Sequence, residues 1–209
     1  MNTKNLYEFT NDWFSLARPI WLNLIPEVMP SRILEIGSYE GASTCFLIDT
    51  LSPKKSIEIH CVDTWEGGIE HKEIGDDMGA VERRFQHNTR LAVEAANHEV
   101  SLCVHKVPSH IALSRLVAEG KEGWFDFIYI DGSHQAPDVM SDAILGFWLL
   151  RVGGTMVFDD YLWSENLPYG KDPIRCPKPA IDAFTNLFCR KIRIIKAPLY
   201  QLYIQKTDN

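Results

Sequence analysis

The chain has 209 residues, 45% of them hydrophobic, enough for one domain with a single sizeable core and no need of a second. Twenty-eight acidic against 21 basic side chains give a net charge of −7 with no basic stripe, which argues against nucleic acid as a partner and favours a small polar substrate. Five scattered cysteines (Cys45, Cys61, Cys103, Cys176, Cys189) without a C-x-x-C pair argue against a disulfide framework or a zinc site.

The opening "MNTKNLYEFTNDW" lacks the basic-then-apolar plan of a signal peptide, and no apolar run approaches the ~20 residues that span a bilayer. A cytoplasmic protein without a membrane partner is the expectation. Residues 7–28, rich in Trp, Phe, Leu and Ile, read as a helix kinked or ended by Pro19 and Pro26. Residues 1–30 are therefore taken as a helical segment packing on, or capping, a site in the domain 31–209.

After Pro30 strands and helices alternate. "SRILEIG" is a strand and "YEGASTCFLIDTL" a helix opening beside Gly41; "KSIEIHCVDT" is a strand, followed by a polar stretch from Trp65 to Gly79. "AVERRFQHNTRL" is a helix, "EVSLCVHKV" a strand, and "PSHIALSRLVAEG" a helix with Pro at its start and Gly at its end. "FDFIYID" is the fourth strand. Pro137–Leu150 is a helix with Val139, Met140, Ala143, Ile144 and Phe147 on one face, and "GGTMVFDD" is the fifth strand. Strands apolar on both faces describe a parallel sheet covered on two sides. Helix "KPAIDAFTNLFCR" then leads to "KIRIIKAP" and "LYQLYIQK", whose very short connection permits only antiparallel pairing. The fold class is α/β, a doubly wound sheet closed by an antiparallel strand.

Parallel strands end on one edge of their sheet, so Asp131 after "FIYI" and Asp159 and Asp160 after "MVF" should converge where open α/β sheets bind ligands. Three adjacent carboxylates repel one another, and a hard divalent cation such as Mg²⁺ relieves that repulsion. The alternative is that Asp159 and Asp160 cap a turn and Asp131 opens an Asp-Gly turn. "LEIGSYEG" places Glu35-x-Gly37-x-x-x-Gly41 at the first strand-to-helix turn, where glycines admit close approach of a ligand to the backbone. It does not match the G-x-G-x-x-G dinucleotide fingerprint, which disfavours a nucleotide-dependent oxidoreductase. Asp63 ends the second strand, where nucleotide-binding folds hold ribose hydroxyls, or it simply forms a turn.

In order and spacing, "LEIGSYEGAST", "VDTWEG", "IYIDGSH", "GGTMVFDDY" and "KPAIDAF" resemble class I S-adenosylmethionine-dependent methyltransferases. More narrowly, they look like the subgroup of macrocin-type macrolide-sugar O-methyltransferases and their bacterial relatives. The resemblance covers residue 31 to the C-terminus. It implies a Rossmann-like seven-stranded sheet of order 3-2-1-4-5-7-6 with strand 7 antiparallel. It also implies that Glu35, Gly37 and Ser43 line the methionine end of the cofactor and that Asp63 binds its ribose; Trp65 either covers the nucleoside or is a buried core residue. Ser109 would lie near adenine, although "KVPSH" lacks the Gly usual before that Ser, and Gly67-Gly68 stands where relatives carry Gly-Asp. Asp131, Asp159 and Asp160 match the acids that hold Mg²⁺ in metal-dependent members, with Asp131 also bordering the cofactor. His134, three residues after Asp131, stands where the macrolide-sugar enzymes place their proposed base; the alternative for a lone His is a surface or structural role.

Together these imply methyl transfer from S-adenosylmethionine to a hydroxyl of a small sugar or catechol-like acceptor, assisted by Mg²⁺. His134 and Asp131 are the catalytic pair, and a homo-oligomer is left open. Residues 66–79 are either a lid over the cofactor or a solvated loop. Trp163 and Tyr169 either stack on the acceptor or simply pack. The rival readings are a metal-independent methyltransferase and a non-catalytic relative that binds the cofactor or a sugar.

Overall fold

The computed structural model describes residues 6–209, apart from the side chains of residues 70 and 74. Seven strands, β1 (Arg32–Ile36), β2 (Ile57–Val62), β3 (Val100–His105), β4 (Phe125–Ile130), β5 (Leu150–Phe158), β6 (Ile192–Ile195) and β7 (Leu202–Lys206), form one sheet of order β3-β2-β1-β4-β5-β7-β6. β7 runs antiparallel to both β5 and β6. Strand order and orientation are those the sequence led us to expect. The chain divides into two compact units, one ending at Lys106 and the other Val107–Asn209.

In the first unit the expected helix over 7–28 is shorter. The α-helix α1 spans Arg18–Val28, preceded by a 3₁₀ turn at Trp13–Ser15; residues 1–5 lie outside the described residues. Upstream amides are committed elsewhere: Glu8 N donates to Asn88 Oδ1 at 2.7 Å and Thr10 N to Glu40 Oε2 at 2.7 Å. Those long-range bonds take the place of i→i+4 helix bonds. Pro19 neither kinks nor ends α1. It sits in its first turn, where the missing N–H costs nothing, and Pro26 is accommodated inside. Trp21 and Ile25, one turn apart, are fully buried.

α2 (Ala42–Leu51) and α4 (Met78–Glu94) pack on each other in this unit. α4 buries Val81, Phe85, Asn88, Thr89 and Ala92, one stripe at helical spacing, and Asp77 caps its start by accepting from Ala80 N. The polar stretch after Trp65 contains a short helix, α3 (Ile69–Ile74), ended by Gly75 in the left-handed region. β1 and β2 are buried almost throughout, whereas β3, an edge strand, leaves Ser101 and Val104 exposed. Burial on both faces therefore fails at the sheet edge, where there is no neighbour to supply cover.

In the second unit β4 is wholly buried and pairs in parallel with β5. α5 (Ser109–Ala118), α6 (Ala136–Leu149) and α7 (Lys178–Leu187) pack in series, α6 lying on β4 and β5. α6 buries Val139, Asp142, Ala143, Gly146 and Phe147, but Ile144, expected on that face, is exposed. β6 and β7 are connected through residues 196–201, longer than the direct turn expected, and still pair antiparallel. All five cysteines are free thiols. Among the described residues no helix is long and apolar enough to cross a membrane.

Candidate active site

The first unit carries the turn expected to meet the cofactor. Gly37 and Gly41 bracket it with φ of 83° and 82°, a conformation that favours glycine. A Cβ on Gly41 would also lie 3.1 Å from the Phe85 ring, so α2 and α4 close over that position. Glu35 is fully buried and works from inside the turn. It accepts from Ser38 Oγ and Ser43 Oγ, both at 2.6 Å, and from Thr44 Oγ1. Burial pushes its carboxyl pKa up, and the hydroxyl donors pull it back. Ser43 and Glu35 are thus committed to each other.

Asp63 joins the ends of β1 and β2. Its Oδ2 accepts from Ser38 N at 2.9 Å and Tyr39 N at 3.0 Å, and its Oδ1 from Trp65 N at 2.7 Å. Trp65, expected over the nucleoside, is only 5% exposed; it packs on Phe85 and donates from its indole to Tyr39 O. As placed it is a buried side chain, on a backbone in the left-handed region at φ 50°. One contributor was missed in the sequence. Glu40 is buried and accepts from Thr10 N, Thr10 Oγ1 and Arg84 Nε, tying the N-terminal segment to this turn. Its signal was a charged residue among the glycines.

The second unit brings the acids together. Asp131, Asp159 and Asp160 each offer an oxygen within 4.8 Å of the others, as the strand-end argument expected. Strand periodicity explains the arrangement. Tyr129 on β4 faces Val157 on β5, which faces Tyr203 on β7. Two residues further along the same face come Asp131 and Asp159, and on the antiparallel β7 the corresponding position is Gln201.

Tyr129 Oη, with one proton to share, lies between Asp131 Oδ2 (2.9 Å) and Asp159 Oδ2, and Gln201 Nε2 donates to Asp159 Oδ2 at 2.7 Å. Asp159 Oδ1 accepts from the adjacent Asp160 N at 2.8 Å. Asp160 sits at φ 54°, a left-handed conformation that Asp tolerates better than most residues. Burial first, and then the neighbouring carboxylates, raise Asp131 well above the usual carboxylate range and raise Asp159 also. Three converging carboxylates strained in this way are a donor set that fits Mg²⁺.

His134 borders the same cleft, which Asp131, Ser133, Asp159, Asp160 and Pro177 also line. Its Nε2 lies 2.8 Å from Asp160 Oδ2 and its ring 4.0 Å from that of Trp163. Trp163 thus packs on the candidate base, while Tyr169 is 73% exposed. Ser109, expected near adenine, opens α5 and bonds to the buried Asp142 of α6. Tyr129, Gln201 and Tyr203 were missed in the sequence, although a Gln inside the apolar run "LYQLYI" was a visible signal.

Comparison with known proteins bears on the family and the fold. A family model described as a methyltransferase domain matches residues 34–161, more than half of the chain. "Probable caffeoyl-CoA O-methyltransferase 3" of Dictyostelium discoideum is 25% identical over 143 residues, 67% of this chain and 47% of that protein, so the match spans about half of the relative's length. The O-methyltransferase TomG of Streptomyces achromogenes, in complex with SAM, superposes with a TM-score of 0.64 at 18% identity, over 92% of this chain and 80% of that one. An O-methyltransferase of Bacillus cereus, in complex with SAH, gives a TM-score of 0.61 at 18% identity, over 98% and 87%. At these identities the two structures show a shared fold. With the family match over β1 to β5, the chain belongs to the methyltransferase-domain family.

Proposed function

We propose that this protein transfers a methyl group from S-adenosylmethionine to a hydroxyl of a small acceptor, with Mg²⁺ held by Asp131, Asp159 and Asp160. The single observation that carries the reading is the convergence of those three acids with His134 hydrogen-bonded to Asp160. When bound, the cofactor supplies a sulfonium-activated methyl, and the cation lowers the pKa of the acceptor hydroxyl. His134 takes the hydroxyl proton. Asp160, 2.8 Å from Nε2, orients the ring and stabilises the imidazolium that forms. Glu35 and Asp63 shape the backbone against which the cofactor lies, and Asp63 offers its carboxylate to the ribose. Much of the rate is then positioning.

Vicinal hydroxyls suit a site of this kind, which points to a sugar or a catechol-like acceptor. An acceptor screen reporting S-adenosylhomocysteine release tests the proposal. Turnover with vicinal diols supports it. Binding of S-adenosylmethionine without product from any acceptor would leave a non-catalytic relative instead.

A further inference from the structure

The three acids do not stand alone, and what holds them comes from the reversed strand. β4 and β5 run the same way, so their C-terminal ends deliver Asp131 and Asp159 to one edge. β7 runs against β5, so its first turn of chain, not its last, reaches that edge. Gln201 is the residue delivered there, and it is 1% exposed. An ionised carboxylate only accepts hydrogen bonds, so the Gln201 amide must face Asp159 with its NH₂. The observed contact is Nε2 to Asp159 Oδ2 at 2.7 Å, with Tyr129 Oη 3.5 Å away. The amide oxygen is then left pointing back along the strand. There Tyr203, also 1% exposed and on the same face two residues on, donates its hydroxyl to Oε1. The relay has one direction: Tyr203 fixes the amide and the amide fixes Asp159.

We propose that Gln201, locked by Tyr203, is a positioning residue that holds Asp159 in the orientation in which it meets Asp131 and Asp160, and so sets the affinity of the acid cluster for a divalent cation. Gln201 and Tyr203 act through Asp159 and do not themselves touch the cation. The inference rests on the reading of the three acids as a metal site. Partners of this kind change metal affinity by about 10–100-fold when removed, because they restrict the ligand's rotamers before the ion arrives.

The test is calorimetric titration of the whole chain with MnCl₂, alongside thermal melts in EDTA. The unmutated protein should bind one Mn²⁺, and Gln201→Leu should weaken binding by about 10-fold or more. Tyr203→Phe, which removes a single oxygen, should weaken it in the same direction by a smaller factor. If Gln201→Leu does not fold, Tyr203→Phe decides the matter alone. Variants that melt earlier in EDTA yet bind Mn²⁺ as tightly as the unmutated chain would overturn the proposal and leave both residues as packing. An unmutated chain that binds no Mn²⁺ would remove the metal reading, and the inference with it.

Discussion

Asp63 offers the sharpest separation of a fold role from a ligand role. Its carboxylate accepts three backbone N–H bonds, from Ser38 at 2.9 Å, Tyr39 at 3.0 Å and Trp65 at 2.7 Å, and so pins the β1–α2 turn to the end of β2. A hydrogen bond to a charged group is worth about 1.5–3 kcal/mol net. Asp63 is half-buried, so water replaces part of what Asp63→Ala removes, and the net loss should be about 2–4 kcal/mol. For a chain of this size each kcal/mol lowers Tm by roughly 2–4 °C, so a fall of about 5–15 °C is expected. Asp63→Asn keeps one accepting oxygen but sets its NH₂ against an N–H, and should fall in between. Urea unfolding and thermal melts without cofactor measure this, with S-adenosylmethionine titration beside them, where affinity should also drop. An alanine variant melting within about 2 °C of the unmutated chain would refute the reasoning, since the three bonds would then contribute almost nothing.

His134→Ala should lower kcat by about 10²–10⁴-fold while cofactor affinity holds, measured by steady-state kinetics and calorimetry; an unchanged kcat would make His134 a packing partner of Trp163. Asp142 is buried in α6 with its pKa pushed up to about 7, by burial first and against the pull of its bond to Ser109. A carboxyl raised in the folded state is protonated there while already ionised in the unfolded chain. Its contribution is therefore full below about pH 4 and is lost as pH rises to about 7. Asp142→Asn should remove that loss. Relative to the unmutated chain it should gain on the order of 2–4 kcal/mol between urea unfolding at pH 4.5 and at pH 8, and an equal difference at both would show that Asp142 does not titrate there.

The parts of the site readable in the sequence are those fixed by chain direction alone. Parallel strands must end together, so Asp131, Asp159 and Asp160 were legible as a cluster from two apolar runs finishing in acid. His134 was singled out by the family resemblance, and the structure sets its ring against Asp160. What stayed hidden depends on which surface is covered by what. Trp65 has the same sequence context whether it lies over a ligand or on Phe85, and only packing decides. The helix expected from residue 7 is lost to bonds with Glu40 and Asn88, partners 30 and 80 residues away that no local pattern announces. Gln201 is an intermediate case. A polar residue in a buried strand asks for a partner, but naming Asp159 requires the β5–β7 register.

The most direct measurement is transfer of an isotopically labelled methyl group from S-adenosylmethionine to a vicinal-diol acceptor, in EDTA and after Mg²⁺ is restored. Label should enter an acceptor hydroxyl with Mg²⁺ present, fall to background in EDTA and return on adding the cation, with Asp159→Asn needing far more Mg²⁺ than the unmutated chain. Undiminished transfer in EDTA would contradict the metal role of Asp131, Asp159 and Asp160, and no transfer to any diol would contradict the vicinal-diol acceptor.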